Sequence, residues 1–409
     1  MTVRIRNSNV YTAPSRNDFD VPTEDSPDDS ASESSSIDDG RTVSRRRLLR
    51  TGINTGIAAT LVWGVGAANY VSSDDLGTIT YALARPEPDA DSLERRTKSV
   101  PVAWHESLRL AFDAQDAIHD LGLSPLVSSF VVPGSYDEPE ASISVDATEE
   151  TVAERLEEVT SDIPVDVNVL DNLPEMPDEE PDTDQAYQVS ELEPERVPGG
   201  VVCETDHGSG TLTPALFDAE TGSRYFATSN HVFGEEGTLE EQHRSEPLAI
   251  RYEDAARQIG EVTRGYPAAD LVQVEPVDDF RPATEVERAD PARVIGQFTR
   301  DGLADLMARD GALEKIGAFS DRTAGEIEGV NAVTCYAGEI CKPGQLVWGD
   351  EDSLTDGDSG SANFRRDPEN PDDYVLVGGI NNARTWWPGG DFTWGTAAYH
   401  LLEEYGLHF

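Results

Sequence analysis

The sequence predicts a multi-domain chain: an all-β C-terminal region, an α+β unit before it, and an N-terminus that does not order. Three observations carry this. From Gly199 onward, short apolar runs recur between glycine and proline turns, the pattern of sheets. Between residues 78 and 171, strand-like and helix-like periodicities alternate. Residues 1–43 are polar and acidic, with runs such as Ser26-Pro27-Asp28-Asp29-Ser30 and Ser34-Ser35-Ser36. They hold too few apolar side chains to offset the entropy of ordering.

Residues 44–73 open with Ser44-Arg45-Arg46-Arg47-Leu48-Leu49-Arg50 and continue into a weakly apolar stretch. This resembles a twin-arginine export signal, an address read by the twin-arginine translocase. Residues 52–71 are long enough to cross a bilayer as a helix and so to tether the protein. Gly52, Gly56, Gly64 and Gly66 lower their hydrophobicity, which suits an export signal better than a permanent anchor.

In residues 78–171, Ile79-Thr80-Tyr81-Ala82-Leu83 alternates as a strand. Trp104, Leu108, Ala111, Ala114, Ile118 and Leu121 recur at helical spacing, and Gly122 stops that helix. Val127–Val132 and Ile143–Val145 read as strands. Thr148 caps a helix carrying Val152, Leu156 and Val159, and Ile163, Val165, Val167 and Val169 alternate as a last strand. The order β-α-β-β-α-β is the ferredoxin-like pattern. The unit holds no catalytic constellation, so it reads as a propeptide (folding helper, inhibitor or both) or as a fixed accessory domain. Residues 172–198, with Pro174, Pro177, Pro181, Pro194 and Pro198 among acids, form a linker open to proteolysis.

Residues 199–409 carry the chemistry. Gly357-Asp358-Ser359-Gly360 places a serine between glycines, which let a backbone turn aim its N–H groups at one point. A serine nucleophile needs such groups to hold an oxyanion, and a base beside it. Tyr225–Phe233 reads as a buried strand ending at His231, whose type titrates near neutrality. Asp270 opens the apolar strand Leu271-Val272-Gln273-Val274 and is costly there unless a partner such as a histidine N–H satisfies it. His207, among loop formers, is the competing histidine and reads as a surface group.

These three segments resemble the trypsin-like, chymotrypsin-fold serine peptidases. Thr228 and His231 match the family's Thr-Ala-x-His pattern, with Ser229 where alanine is usual. Asp270-Leu271-Val272 and Gly357-Asp358-Ser359-Gly360 match its other two motifs, in its order His, Asp, Ser. The resemblance implies a double β-barrel with a C-terminal helix over Thr396–Tyr405. It makes Ser359 the nucleophile, His231 the base and Asp270 its orienter, and gives the oxyanion hole to the N–H groups of Gly357 and Ser359. It further implies that Ser353 sits at the base of the specificity pocket. Gly378 and Gly379 would lie on the strand that pairs with substrate backbone. Lys315-Ile316-Gly317 resembles the hairpin before the serine loop. An exported serine endopeptidase acting on proteins or peptides, at the cell surface or outside the cell, is the expected function. A catalytically inactive relative that binds peptides is the alternative.

Composition bounds the rest. The formal net charge is −48, and only three of 31 basic residues are lysines: Lys98, Lys315 and Lys342. Molar salt shortens electrostatic screening to roughly 3 Å and relieves the self-repulsion of such a chain. The composition resembles that of halophilic, haloarchaeal proteins. It argues against nucleic acid as a partner, which needs a basic footprint. No metal-ligand spacing and no cofactor motif stand out. Of Cys203, Cys335 and Cys341, the last two are close enough to close a short loop, which would leave one thiol over.

Overall fold

The computed structural model describes residues 3–8, 76–170 and 186–409, apart from 88–89, 91, 161–162, 235–244, 254, 337–339, 386 and 388–389. The export signal and tether expected at 44–73, most of the acidic tail and most of the linker lie outside the described residues. Among the described residues, no helix is long and apolar enough to cross a membrane.

The first strand, β1 (Val3–Ser8), falls within the segment expected to be unordered. It runs parallel to β6 (Val165–Leu170), with Val3 opposite Val165 and Ser8 opposite Leu170. An open sheet edge offers backbone pairing whatever the composition of the added segment.

The α+β unit comprises β2 (Leu76–Ala84), β3 (Glu94–Pro101), α1 (Val102–Asp120), β4 (Leu126–Val132), β5 (Ser142–Ala147), α2 (Thr151–Glu157) and β6. Helix α1 buries Trp104, Leu108, Ala111, Ala114 and Ile118, the face its spacing predicts, and the chain turns away at Gly122. The β-α-β-β-α-β order is present, with β3 added, but the ferredoxin-like pairing is not. That fold would seat the first strand between the third and fourth. Here β5 and β6 pair directly and in parallel. Strand β2 instead pairs with β3 and with β16 (Arg293–Phe298) of the C-terminal region, and β4 pairs with β18 (Asp321–Tyr336). One core spans both regions: Trp104, Leu108 and Val145 share a cluster with Phe298, Leu303, Val330 and Trp348. Long-range partners, invisible in local periodicity, decide which edges β2 meets.

The C-terminal region carries two sheets. The first runs in the order β23 (Leu407–His408), β10 (Leu216–Asp218), β11 (Arg224–Thr228), β14 (Leu271–Pro276), β13 (Ala255–Tyr266), β12 (Pro247–Tyr252), β8 (Val202–Glu204), β9 (Ser209–Thr211). It wraps a core of Phe226, Phe233, Leu248, Ile259 and Val272. In the second, six strands pair head to tail into a closed ring: β17 (Ala312–Gly317), β20 (Ala362–Arg366), β21 (Tyr374–Arg384), β22 (Thr393–Ala397), β19 (Ile340–Trp348) and β18. The sheet continues past this ring, from β21 to β16, β15 (Pro282–Val286) and β7 (Val197–Gly199), and from β18 to β4. Cys335 and Cys341 face each other across β18 and β19 and form a disulfide, while Cys203 is free and buried. A short helix, α3 (Arg300–Ala308), packs on the second sheet, and a last helix, α4 (Ala398–Tyr405), ends at Gly406 in the left-handed region.

Candidate active site

The candidate triad sits where the two sheets meet. Strand β11 ends at Thr228, and a 3-10 turn over Asn230–Phe233 presents His231 with its side chain about a quarter exposed. A second 3-10 turn, Pro267–Ala269, brings Asp270 in with φ +47° just before β14. Pairing of β11 with β14 sets the two side by side. Asp270 Oδ2 lies 2.8 Å from His231 Nδ1, and Oδ1 accepts the backbone N–H of His231 at 3.0 Å. That contact makes Nδ1 the protonated nitrogen and Nε2 the basic one.

Asp270 is 3% exposed. Burial alone would raise its carboxyl. His231 and Lys342 beside it, with the hydrogen bonds from His231, outweigh that and hold it well below the usual carboxylate range. Lys342 Nζ reaches Oδ2 at 3.3 Å.

Ser359 stands on a turn sewn to both sheets. Its carbonyl accepts the N–H of Thr211, and Thr211 Oγ1 donates to the carbonyl of Gly357. Gly360 N–H donates to Asn381 of β21, whose own N–H returns to Ser361. The turn needs its glycines: Gly357 has φ +91° and Gly360 φ +92°. A Cβ on Gly360 would stand 2.3 Å from Thr228 Oγ1 and 3.1 Å from the Ser229 nitrogen, so the serine turn lies against the end of the histidine strand. Ser229, where alanine was expected, is buried and donates from Oγ to Asn381 O at 3.3 Å. The N–H groups of Gly357 and Ser359 meet no acceptor among the described residues, whereas those of Asp358 and Gly360 are used. The Ser359 hydroxyl donates to the carbonyl of Asn382 at 3.2 Å.

Behind the turn lies a buried ion pair. Asp358 and Lys315 both have fully covered side chains and are bonded to each other. Asp358 also accepts the N–H groups of Phe319, Ser320 and Thr355 and the hydroxyl of Ser320. Burial pushes the Lys315 ammonium down, and Asp358 opposes that shift.

The three residues expected to contact substrate, Gly378, Gly379 and Ser353, are buried. Gly378 and Gly379 lie buried within β21, where Gly379 faces Asn363 of β20 and Ala397 of β22. Both edges of the backbone at Gly379 are thus paired within the sheet. The part of β21 that reaches Ser359 is Asn381-Asn382. Ser353 is buried in a capping box: its hydroxyl donates to Asp350 Oδ1 and accepts the Asp350 N–H. His207 is half exposed, with its ring 3.6 Å from Glu246. The sequence reading had no role for Lys342 or Asn382. One signal was present: all three lysines of this arginine-rich chain sit on buried aspartates, Lys98 on Asp305, Lys315 on Asp358 and Lys342 on Asp270.

No protein-family model and no curated protein matches the chain. Solved structures similar to about half of it include a glutamic-acid-specific serine protease, 18% identical, covering 52% of this chain and 99% of that one with a TM-score of 0.38. A Nocardiopsis protease is 18% identical over 52% of this chain and 97% of its own, TM-score 0.36. Protease A of Thermobifida fusca is 16% identical over the same shares, TM-score 0.36.

Proposed function

We propose that the chain is a serine endopeptidase that hydrolyses peptide bonds of protein or peptide substrates through an acyl-enzyme on Ser359. The observation that carries this is the 2.8 Å contact of His231 Nδ1 with a buried, anionic Asp270, beside a serine turn with two unspent N–H groups. Ser359 Oγ attacks the carbonyl carbon while His231 Nε2 takes its proton. The N–H groups of Gly357 and Ser359 hold the oxyanion, and His231 hands the proton to the leaving amine. Water, deprotonated by the same histidine, then releases the acid product. None of these steps calls for a cofactor.

Labelling with a fluorophosphonate in molar KCl tests the reading. The full chain should label and S359A should not. One observation favours the second reading, an inactive trypsin-like module that binds peptides: the Ser359 hydroxyl is bonded to the Asn382 carbonyl. A folded chain that never labels would end the first reading and favour the second.

Export is part of the proposal. Residues 44–73 address the chain to the twin-arginine translocase, and the enzyme acts outside the cell or at its surface, with residues 52–71 as a tether where they are retained. Replacing Arg45, Arg46 and Arg47 by lysine should leave the protein in the cell. Residues 76–170 are proposed as a fixed part of the enzyme, because their removal would uncover Phe298, Leu303 and Trp348 of the shared core.

A further inference from the structure

We propose that Lys342 is a positioning residue of the triad: its ammonium holds Asp270 ionised and in place, and sets the pH at which His231 becomes a base. The inference rests on the peptidase reading above.

Asp270 is buried, and a buried carboxylate needs charge as well as hydrogen bonds. The form of His231 that acts as a base is the neutral one, which supplies hydrogen bonds but no charge. Lys342 supplies the charge, 3.3 Å from Oδ2, with its own side chain 13% exposed. It enters from β19, a different strand from either triad partner. It is placed there by its neighbour: Cys341 is bonded to Cys335 across the hairpin, which pins the strand one residue from the lysine. A compact ammonium contacts Oδ2 without displacing the imidazole, whose Nδ1 keeps the same oxygen at 2.8 Å.

Both groups hang on one oxygen, so the ammonium lies within about 6 Å of Nδ1 and disfavours a second positive charge on the ring. Among the described residues, charged groups on the surrounding elements pair as Lys315 with Asp358, Arg384 with Asp356, and His207 with Glu246. Removing the lysine charge makes the imidazolium easier to form, so the base is lost at higher pH. A unit charge at that distance, partly screened, is worth about one pH unit.

The test is the pH dependence of fluorophosphonate labelling of the full chain in molar KCl, for wild type, K342M, K342Q and K342R, with S359A as the blank. The half-maximal pH should rise by about one unit in K342M and K342Q. In K342R, which keeps the charge, it should stay near wild type. K342Q carries the test should K342M fail to fold. An unchanged midpoint in the neutral variants would overturn the inference, as would a rate lowered equally at every pH. Wild type that does not label at any pH would instead sink the peptidase reading, and this inference with it.

Discussion

The buried pair behind the serine turn sets a demanding expectation. Lys315→Met keeps the length and bulk of the side chain and removes its charge. Asp358 would then be a fully covered carboxylate without a cation, retaining the N–H groups of Phe319, Ser320 and Thr355 at 3.0, 3.2 and 3.1 Å. Breaking a buried pair from one side costs about 3–5 kcal/mol. The three remaining N–H groups solvate the anion, which puts K315M at the lower end, about 3 kcal/mol. Asp358→Asn should cost less, about 2 kcal/mol, because burial already favours the neutral amine and Lys315 can shed its proton. The double variant K315M/D358N removes both charges and should be more stable than K315M alone. Urea unfolding in molar KCl, followed by tryptophan fluorescence, reads all three from their midpoints. K315M within about 1 kcal/mol of wild type would refute the reasoning, as would a double variant worse than the single. Because Asp358 lies between Gly357 and Ser359, K315M should also slow fluorophosphonate labelling, by about 10- to 100-fold if the oxyanion donors lose their aim.

Other outcomes follow from single contacts. Asp270→Asn should keep the fold and lower peptidase activity by about 10⁴-fold, since the amide favours the wrong imidazole tautomer; a loss under tenfold would remove Asp270 from the triad. Burial lowers the pKa of His408, which stacks on Phe217, and of His400. Their unfolded forms take a proton near pH 6.5 while the folded forms resist it, so stability should fall as pH drops through about 6.5. H408F should flatten that slope in a series of urea midpoints, and an unchanged slope would deny the linkage. Trp104→Ala empties a core position that faces the C-terminal region and should cost about 3–5 kcal/mol in the single unfolding transition of the whole chain. Residues 199–409 expressed alone should fail to unfold cooperatively, and a folded, active fragment would make residues 76–170 dispensable.

What was legible depended on how local the cause is. Helix α1 could be read because its apolar spacing and the turn at Gly122 lie within one stretch of chain. The positions of His231 and Asp270 could be proposed because each ends or opens a strand with its own apolar pattern, and that of Ser359 because glycines flank its turn. The same reading misjudged β2, whose alternation says which face is buried but not that β16 would take its edge. Gly379 shows the same limit: a glycine looks open in sequence, yet β20 and β22 from distant sequence pair with it on both sides. Lys342 is the extreme case, a residue with no periodicity or motif, brought to Asp270 by a hairpin and a disulfide. Its one signal is compositional. A chain that otherwise uses arginine keeps lysine at three places, each against a buried carboxylate that also accepts other donors. Rare residue types in a biased composition therefore point to buried chemistry that strand and helix patterns leave out.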